Sequence, residues 1–114
     1  MIRIFMLLLM SVTTIASAQR TQSGQLPAQI TGQIIDADTQ RGLEYASVSI
    51  FSLRDSSLVT GGISDAQGKF TIETLPGRYY VSFQFISYRE SFIEDISITR
   101  AKNMLDLGVI LLNP

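Results

Sequence analysis

The sequence has 114 residues, enough for one domain of modest size, because single cores usually organise roughly 100 to 200 residues. It contains no cysteine and no histidine, which excludes disulfide frameworks, Ser-His-Asp and Cys-His catalytic groups, and metal sites built on those side chains. The sequence has nine Lys and Arg residues and ten Asp and Glu residues, and the basic residues do not form a cluster. Nucleic acid is therefore not an expected partner.

The first eighteen residues have the pattern of a secretory signal peptide. Arg3 precedes an unbroken apolar run over residues 4–10, and Ala16-Ser17-Ala18 is a small-residue cleavage pattern. The rival interpretation is a retained membrane anchor, but a spanning helix needs roughly 20 predominantly apolar residues, and polar residues interrupt this segment from Ser11 onward. We predict export, cleavage after Ala18, and a periplasmic or outer-membrane-associated protein.

Residues 19–28 are polar and include Ser23-Gly24 and Pro27. They show neither a two-residue nor a 3.6-residue apolar period, which is typical of a flexible lead-in. The folded domain is expected to cover residues 29–112.

From Gln29 onward, short alternating runs are broken by turn residues about every 8 to 12 residues, the spacing of a sandwich or barrel. Strands are predicted over residues 30–36 and 46–50, where apolar residues alternate with Ser47 and Ser49, and over residues 58–64. Residues 64–68 favour a tight hairpin into the next strand, residues 69–74. All of these elements are β.

The strongest strand signal follows the Leu75-Pro76-Gly77 turn. Here one predicted face contains four large side chains, namely Tyr79, Val81, Phe83 and Phe85, so we expect this strand to be central. Ile96 and Ile98 continue the alternation, and the last predicted face comprises Leu105, Leu107, Val109 and Leu111. About seven strands with hairpin connections predict a seven-stranded antiparallel β-sandwich.

Four segments, taken in order, resemble the carboxypeptidase regulatory-like domain, a transthyretin-like sandwich often found at the N-terminus of TonB-dependent outer-membrane receptors of Bacteroidetes. They are ITGQIID at residues 30–36, GLEYASVSI at 42–50, SDAQGKF at 64–70 and LPGRYYV at 75–81. The resemblance implies no peptidase activity, because the catalytic zinc domain of carboxypeptidases is a separate unit.

Two features depart from that family. Ser87-Tyr88 stands where members usually place glycine before the tyrosine, which leaves the geometry of this turn open. The sequence also stops at Pro114, close to where receptor relatives continue into a plug and barrel. The chain is thus expected to be a stand-alone domain or the front end of a longer receptor.

Paired carboxylates are the remaining catalytic option. Glu94 and Asp95 are neighbours on a predicted strand and should point to opposite faces. Asp36, Asp38 and Asp65 offer oxygen ligands for calcium, but turn capping explains them more simply, and no EF-hand spacing is present. We expect no catalytic residue, no metal site and no cofactor.

Tyr45, Tyr80 and Tyr88, if exposed together, would offer rings on which a sugar stacks, although aromatic residues at strand spacing more often belong to a core. The apolar run over residues 105–112 is expected either to pack within the domain or to dock against the rest of a receptor. The resemblance implies a non-enzymatic accessory or recognition domain of a TonB-dependent receptor or transport system, with other receptor domains or subunits as partners. The alternative is a secreted or surface carbohydrate-binding sandwich with a glycan as partner.

Overall fold

The computed structural model describes residues 27–114. The predicted signal peptide and residues 19–26 of the predicted lead-in lie outside this range. Within it, seven strands form two sheets, and no helix is long and apolar enough to cross a membrane. The strands are β1 (Ala28–Asp36), β2 (Ser47–Ser52), β3 (Leu58–Ile63), β4 (Lys69–Thr74), β5 (Gly77–Gln84), β6 (Ser91–Ile98) and β7 (Met104–Leu112). The expected seven-stranded all-β sandwich is confirmed.

The three-stranded sheet has the order β4-β1-β7, and the four-stranded sheet has the order β3-β2-β5-β6. Four of the five strand pairings are antiparallel, whereas β1 and β7 run parallel. The chain enters β7 from β6, which belongs to the other sheet, so no hairpin fixes the direction of β7. The first and last strands of the described chain are therefore neighbours.

The core lies between the sheets and follows the predicted alternation along β5. Tyr79, Val81 and Phe83 are buried, and Phe85 is half-buried against the same cluster. Strand β5 lies between β2 and β6, so the prediction of a central strand is confirmed. Phe83 meets Phe70 of the opposite sheet at a ring-centroid distance of 5.8 Å. Each such buried side chain contributes about 1.5–3 kcal/mol through removal of apolar area from water.

Strand β7 changes face part-way along its length. Leu105 and Leu107 pack against the core as predicted, but Val109 and Leu111 are 56% and 48% exposed while Ile110 and Leu112 are buried. The pairing with β1 shifts register here, and Gly108 takes φ +76°. A bulge adds one residue and reverses which side chains face inward. The predicted single face is therefore wrong beyond residue 107.

The turn at residues 64–68 forms, but it does not close a hairpin. The Asp65 carboxylate accepts the N–H groups of Gln67 and Lys69, both at 2.9 Å, yet β3 and β4 belong to different sheets. Gly68 takes φ +83° and its carbonyl accepts the Ile34 N–H at 2.7 Å. The turn thus docks on β1 and carries the chain across the sandwich.

Candidate functional site

The structure brings together two of the three predicted tyrosines. Tyr45, which is 67% exposed, and Tyr88, which is half-buried, line the same open groove at one end of the sandwich. Tyr80 lies elsewhere, on the outer face of the four-stranded sheet, stacked on Phe51 with centroids 4.9 Å apart and planes 14° apart. A platform of all three rings is not assembled.

We call this region the end groove and define it by six lining residues: Tyr45, Gln84, Phe85, Ile86, Tyr88 and Glu90. It lies where β2 begins and β5 ends, because Ser47 and Gln84 are register partners. Ile86 is 83% exposed, and the Glu90 carboxylate accepts the Ser82 hydroxyl at 2.5 Å. The groove therefore combines apolar side chains with one amide and one carboxylate.

One wall of the end groove is fixed by Asp36. The Tyr88 hydroxyl donates to Asp36 Oδ2, while Oδ1 accepts the N–H groups of Asp38 at 2.6 Å and Thr39 at 2.9 Å. The hydrogen bond from Tyr88, followed by that from Thr39, lowers the pKa of Asp36, and the same carboxylate raises the pKa of Tyr88. Asp36 therefore anchors the turn after β1 to the turn after β5.

The turn at the groove places a serine in a glycine-like conformation. The Tyr88 N–H donates to the Phe85 carbonyl at 2.9 Å, and Ser87 has φ +70°. A positive φ at the third residue of a four-residue turn is the type II arrangement, which favours glycine there. Tyr45, which also lines the groove, has a positive φ as well, +69°. Two residues in a strained backbone region thus flank one surface feature.

Among the other predicted carboxylates, Asp95 and Asp65 accept hydrogen bonds from neighbouring groups. Asp95 sits in a bulge of β6 with φ +61° and accepts a 2.5 Å hydrogen bond from Arg78, and both side chains are largely exposed. Such an exposed ion pair contributes less than about 1 kcal/mol. The carboxylates of Asp36 and Asp65 face different turns, and within residues 27–114 no three acidic side chains are close enough to hold a metal ion.

A family model, the carboxypeptidase regulatory-like domain, matches residues 29–110. The chain belongs to this family. The match covers all seven strands apart from Ala28 at the start and the last two residues of β7. A comparison with curated protein sequences finds no match.

Solved structures share the fold of this carboxypeptidase regulatory-like domain at low sequence identity. The major pilin subunit BcpA of Bacillus cereus superposes with a TM-score of 0.59 at 18% identity, over 76% of this chain and 30% of the pilin. The 5-hydroxyisourate hydrolase of Klebsiella pneumoniae gives 0.55 at 18% identity, over 74% of this chain and 90% of the hydrolase. A cohesin-X-dockerin complex from Acetivibrio cellulolyticus superposes with a TM-score of 0.59 at 20% identity, over 75% of this chain and 56% of the matched chain.

Most of these proteins are much longer than the matching region. This chain spans only 18%, 40% and 17% of the lengths of three further solved structures. At such identities the likeness establishes the transthyretin-like sandwich of the regulatory-like domain and nothing about its activity.

Sequence reasoning missed half of the end groove. Gln84, Ile86 and Glu90 were not singled out, and Phe85 was assigned to the core. The usable signal was the turn at residues 85–88, but Ser87 stands in place of the glycine that would have marked its geometry. In this regulatory-like domain one part of the groove is thus formed by a turn whose conformation the sequence does not indicate, because serine occupies the position that usually favours glycine.

Proposed function

We propose that this carboxypeptidase regulatory-like domain is a non-catalytic recognition module of a TonB-dependent outer-membrane receptor or transport system, exported by a signal peptide cleaved after Ala18. The family match over residues 29–110 supports the module. The leader pattern of residues 1–18 supports export. Other domains or subunits of the receptor are its partners.

The end groove is the observation that carries the proposal. It exposes Tyr45 and Ile86 to 67% and 83%, next to the polar groups of Gln84 and Glu90. Exposed aromatic and aliphatic side chains beside a few polar groups are the usual composition of a recognition surface. The bond between Tyr88 and Asp36 fixes this surface before a partner arrives.

The hydrogen bonds of the carboxylates support a non-catalytic role. The sequence has no histidine and no cysteine, which excludes centres built on those two residue types and makes carboxylates the main acid-base candidates, next to lysine and tyrosine. Asp36, Asp55 and Asp65 instead accept N–H groups of their own turns. Asp95 is held by Arg78.

Photo-cross-linking in the native cells tests the proposal. A photoreactive phenylalanine analogue at Ile86 should give a cross-link to a TonB-dependent receptor, identified by mass spectrometry, and the tagged protein should fractionate with the envelope without residues 1–18. The matched control places the same analogue at Thr71, an exposed position on the three-stranded sheet. Retention in the cytoplasm with the leader intact, or equal cross-linking from both positions, would refute the proposal.

A second candidate function is glycan binding, favoured by the position of Tyr45 beside Gln84 and Glu90. An aromatic ring packs against the apolar face of a sugar, while an amide and a carboxylate accept its hydroxyl groups. Calorimetric titration of glycans identified on an array should then show saturable binding that Tyr45→Ala abolishes. Tyr80→Ala, outside the groove, should leave binding unchanged, and equal loss in both variants would contradict this site.

A further inference from the structure

The four edge strands of the sandwich differ in their protection against pairing with another chain. Strand β4 carries Lys69 and Glu73, β6 carries Glu94 and Asp95, and β7 carries Asp106. Strand β3, with the sequence LVTGGI, has no charged residue and no proline. Charges, prolines and bulges are the usual means of keeping an edge strand unpaired, so β3 is the edge with the least protection.

The positions of the bulges also leave β3 less protected than β6 and β7. The bulge in β6 lies at mid-strand, and the bulge in β7 contains Gly108 with φ +76°. In β3 the register shifts only between its pairs at Leu58 and Thr60, which leaves a regular stretch from Thr60 to Ile63. Because β3 pairs with β2 alone within residues 27–114, its other side presents a regular row of backbone donors and acceptors.

Three large apolar side chains of β3 are also exposed to solvent. Leu58, Val59 and Ile63 are 64%, 45% and 61% exposed. Between them, a Cβ atom at Gly61 would lie 2.6 Å from the Val48 carbonyl oxygen, so the close approach of β2 requires glycine at this position. The two glycines thus leave the backbone uncovered in the middle of the strand, and exposed apolar side chains precede and follow them along the chain.

We propose that β3 pairs with the β3 strand of a second copy of this chain, antiparallel and about a two-fold axis near Gly61. The two four-stranded sheets then join into one sheet of eight strands. This is the isologous arrangement in which one surface is complementary to itself. It goes beyond the proposed recognition function and does not use the end groove.

In this arrangement the side chains of one β3 strand are complementary to those of the β3 strand in the other copy. With Gly61 at the axis, Thr60 of one copy lies opposite Gly62 of the other, and Val59 lies beside Ile63. Thr60 thus meets a glycine, Val59 and Ile63 meet an apolar partner, and no like charges face one another across the strands. The exposed Val59 and Ile63 are covered by the pairing.

The charges that flank β3 are also compatible with an antiparallel pair. The turn before the strand carries Arg54 and Asp55, and the turn after it carries Asp65, which is followed by Lys69 at the start of β4. An antiparallel pairing places the first turn of one copy near the second turn of the other. Residues 54–55 and residues 65–69 each contain one residue of each sign, so the approach brings no net charge against net charge.

Sedimentation equilibrium of the purified protein, over concentrations on the order of micromolar to millimolar, tests the pairing. We expect reversible dimers, and Ile63→Lys should raise the dimer dissociation constant at least about tenfold by placing a charge on the edge. Val109→Lys is the matched control, because Val109 is 56% exposed on β7, and it should leave the constant unchanged.

Disulfide trapping gives a second readout that does not depend on a lysine variant. The native sequence has no cysteine, so a mixture of Val59→Cys and Ile63→Cys proteins reports on this pair alone. In an equimolar mixture, random pairing already gives about twice as much mixed disulfide as either homodisulfide, and we expect the mixed disulfide to exceed that ratio. A wild-type protein that stays monomeric throughout, a dimer weakened by Val109→Lys but not by Ile63→Lys, or a mixed disulfide at or below the twofold ratio of random pairing would each overturn the proposal.

Discussion

The hydroxyl of Tyr88 donates a hydrogen bond to the carboxylate of Asp36, which stands 52 residues earlier in the chain. The bond links the turn after β1 to the turn after β5 and forms one side of the end groove. Since the same carboxylate also accepts the N–H groups of Asp38 and Thr39, one side chain organises both turns.

Tyr88→Phe should lower the free energy of unfolding in a pH-dependent way. The pKa of Asp36 is lowered from 3.8, mainly by the Tyr88 hydrogen bond, so its contribution is present above that value and is lost as pH falls through the folded pKa. The pKa of Tyr88 is raised from 10.0, mainly by the bond to Asp36, so that contribution is lost as pH rises through the raised value. Urea denaturation should show the largest difference near neutral pH and convergence at both extremes. Tyr80→Phe is the control, because Tyr80 packs on Phe51 instead.

Ser87→Gly should stabilise the domain. A non-glycine residue with φ near +70° costs about 1–2 kcal/mol, while glycine adds about 0.5–1 kcal/mol of unfolded-state entropy. The expected net gain is about 0.5–1 kcal/mol, measured by urea denaturation. Ser47→Gly, in a regular part of β2, should instead destabilise, and a similar loss in both variants would mean that Ser87 is not strained.

Gly68→Ala and Gly108→Ala should differ sharply although both glycines have positive φ, +83° and +76°. A Cβ atom at Gly68 would lie 2.1 Å from the Ile34 carbonyl oxygen, whereas nothing lies within 4 Å of one at Gly108. We expect a loss of about 1 kcal/mol for Gly108→Ala from backbone strain alone, and about 3 kcal/mol or more for Gly68→Ala. Equal unfolding midpoints for the two variants would contradict the docking of this turn on β1.

Phe83→Ala should cost about 3–5 kcal/mol, because Phe83 is fully buried and its removal leaves a cavity against Phe70. Phe92→Ala is the matched control, since Phe92 lies on the neighbouring strand and is 50% exposed, and it should cost less than about 1.5 kcal/mol. Thermal unfolding followed by circular dichroism measures both. Similar losses would mean that β5 is not the core strand.

Two-residue alternation was sufficient to predict the strands and most of their buried faces. In β5 and at Ile96 and Ile98 of β6 the predicted inward residues are buried, because burial of one face is the physical cause of the pattern. The prediction failed in β7, where a single backbone conformation at Gly108 exchanges the two faces. Gly108 was the available signal, because an isolated glycine inside a strand often marks a bulge, but the alternation of leucine and valine around it was followed instead.

The turn at Asp65 and the tyrosines show a second limit. Asp65 caps its turn as its residue type suggests, but which sheet the next strand joins depends on distant contacts such as that between Gly68 and Ile34. In the same way, Tyr80 was grouped with Tyr45 by residue type, yet its neighbour is Phe51 on the adjacent strand. Local chemistry predicts a turn or an exposed ring, and only the tertiary arrangement decides what it meets.

The parallel pairing of β1 with β7 determines the order in which the domain can assemble. Ile34 must find Ile110, 76 positions further along the chain, and closing so long a loop is slow. The antiparallel neighbours β2 and β3 are separated by only a short turn, so they can associate early. The three-stranded sheet therefore cannot be completed until β7 is available to pair with β1, so the two sheets reach their final form at different stages of folding.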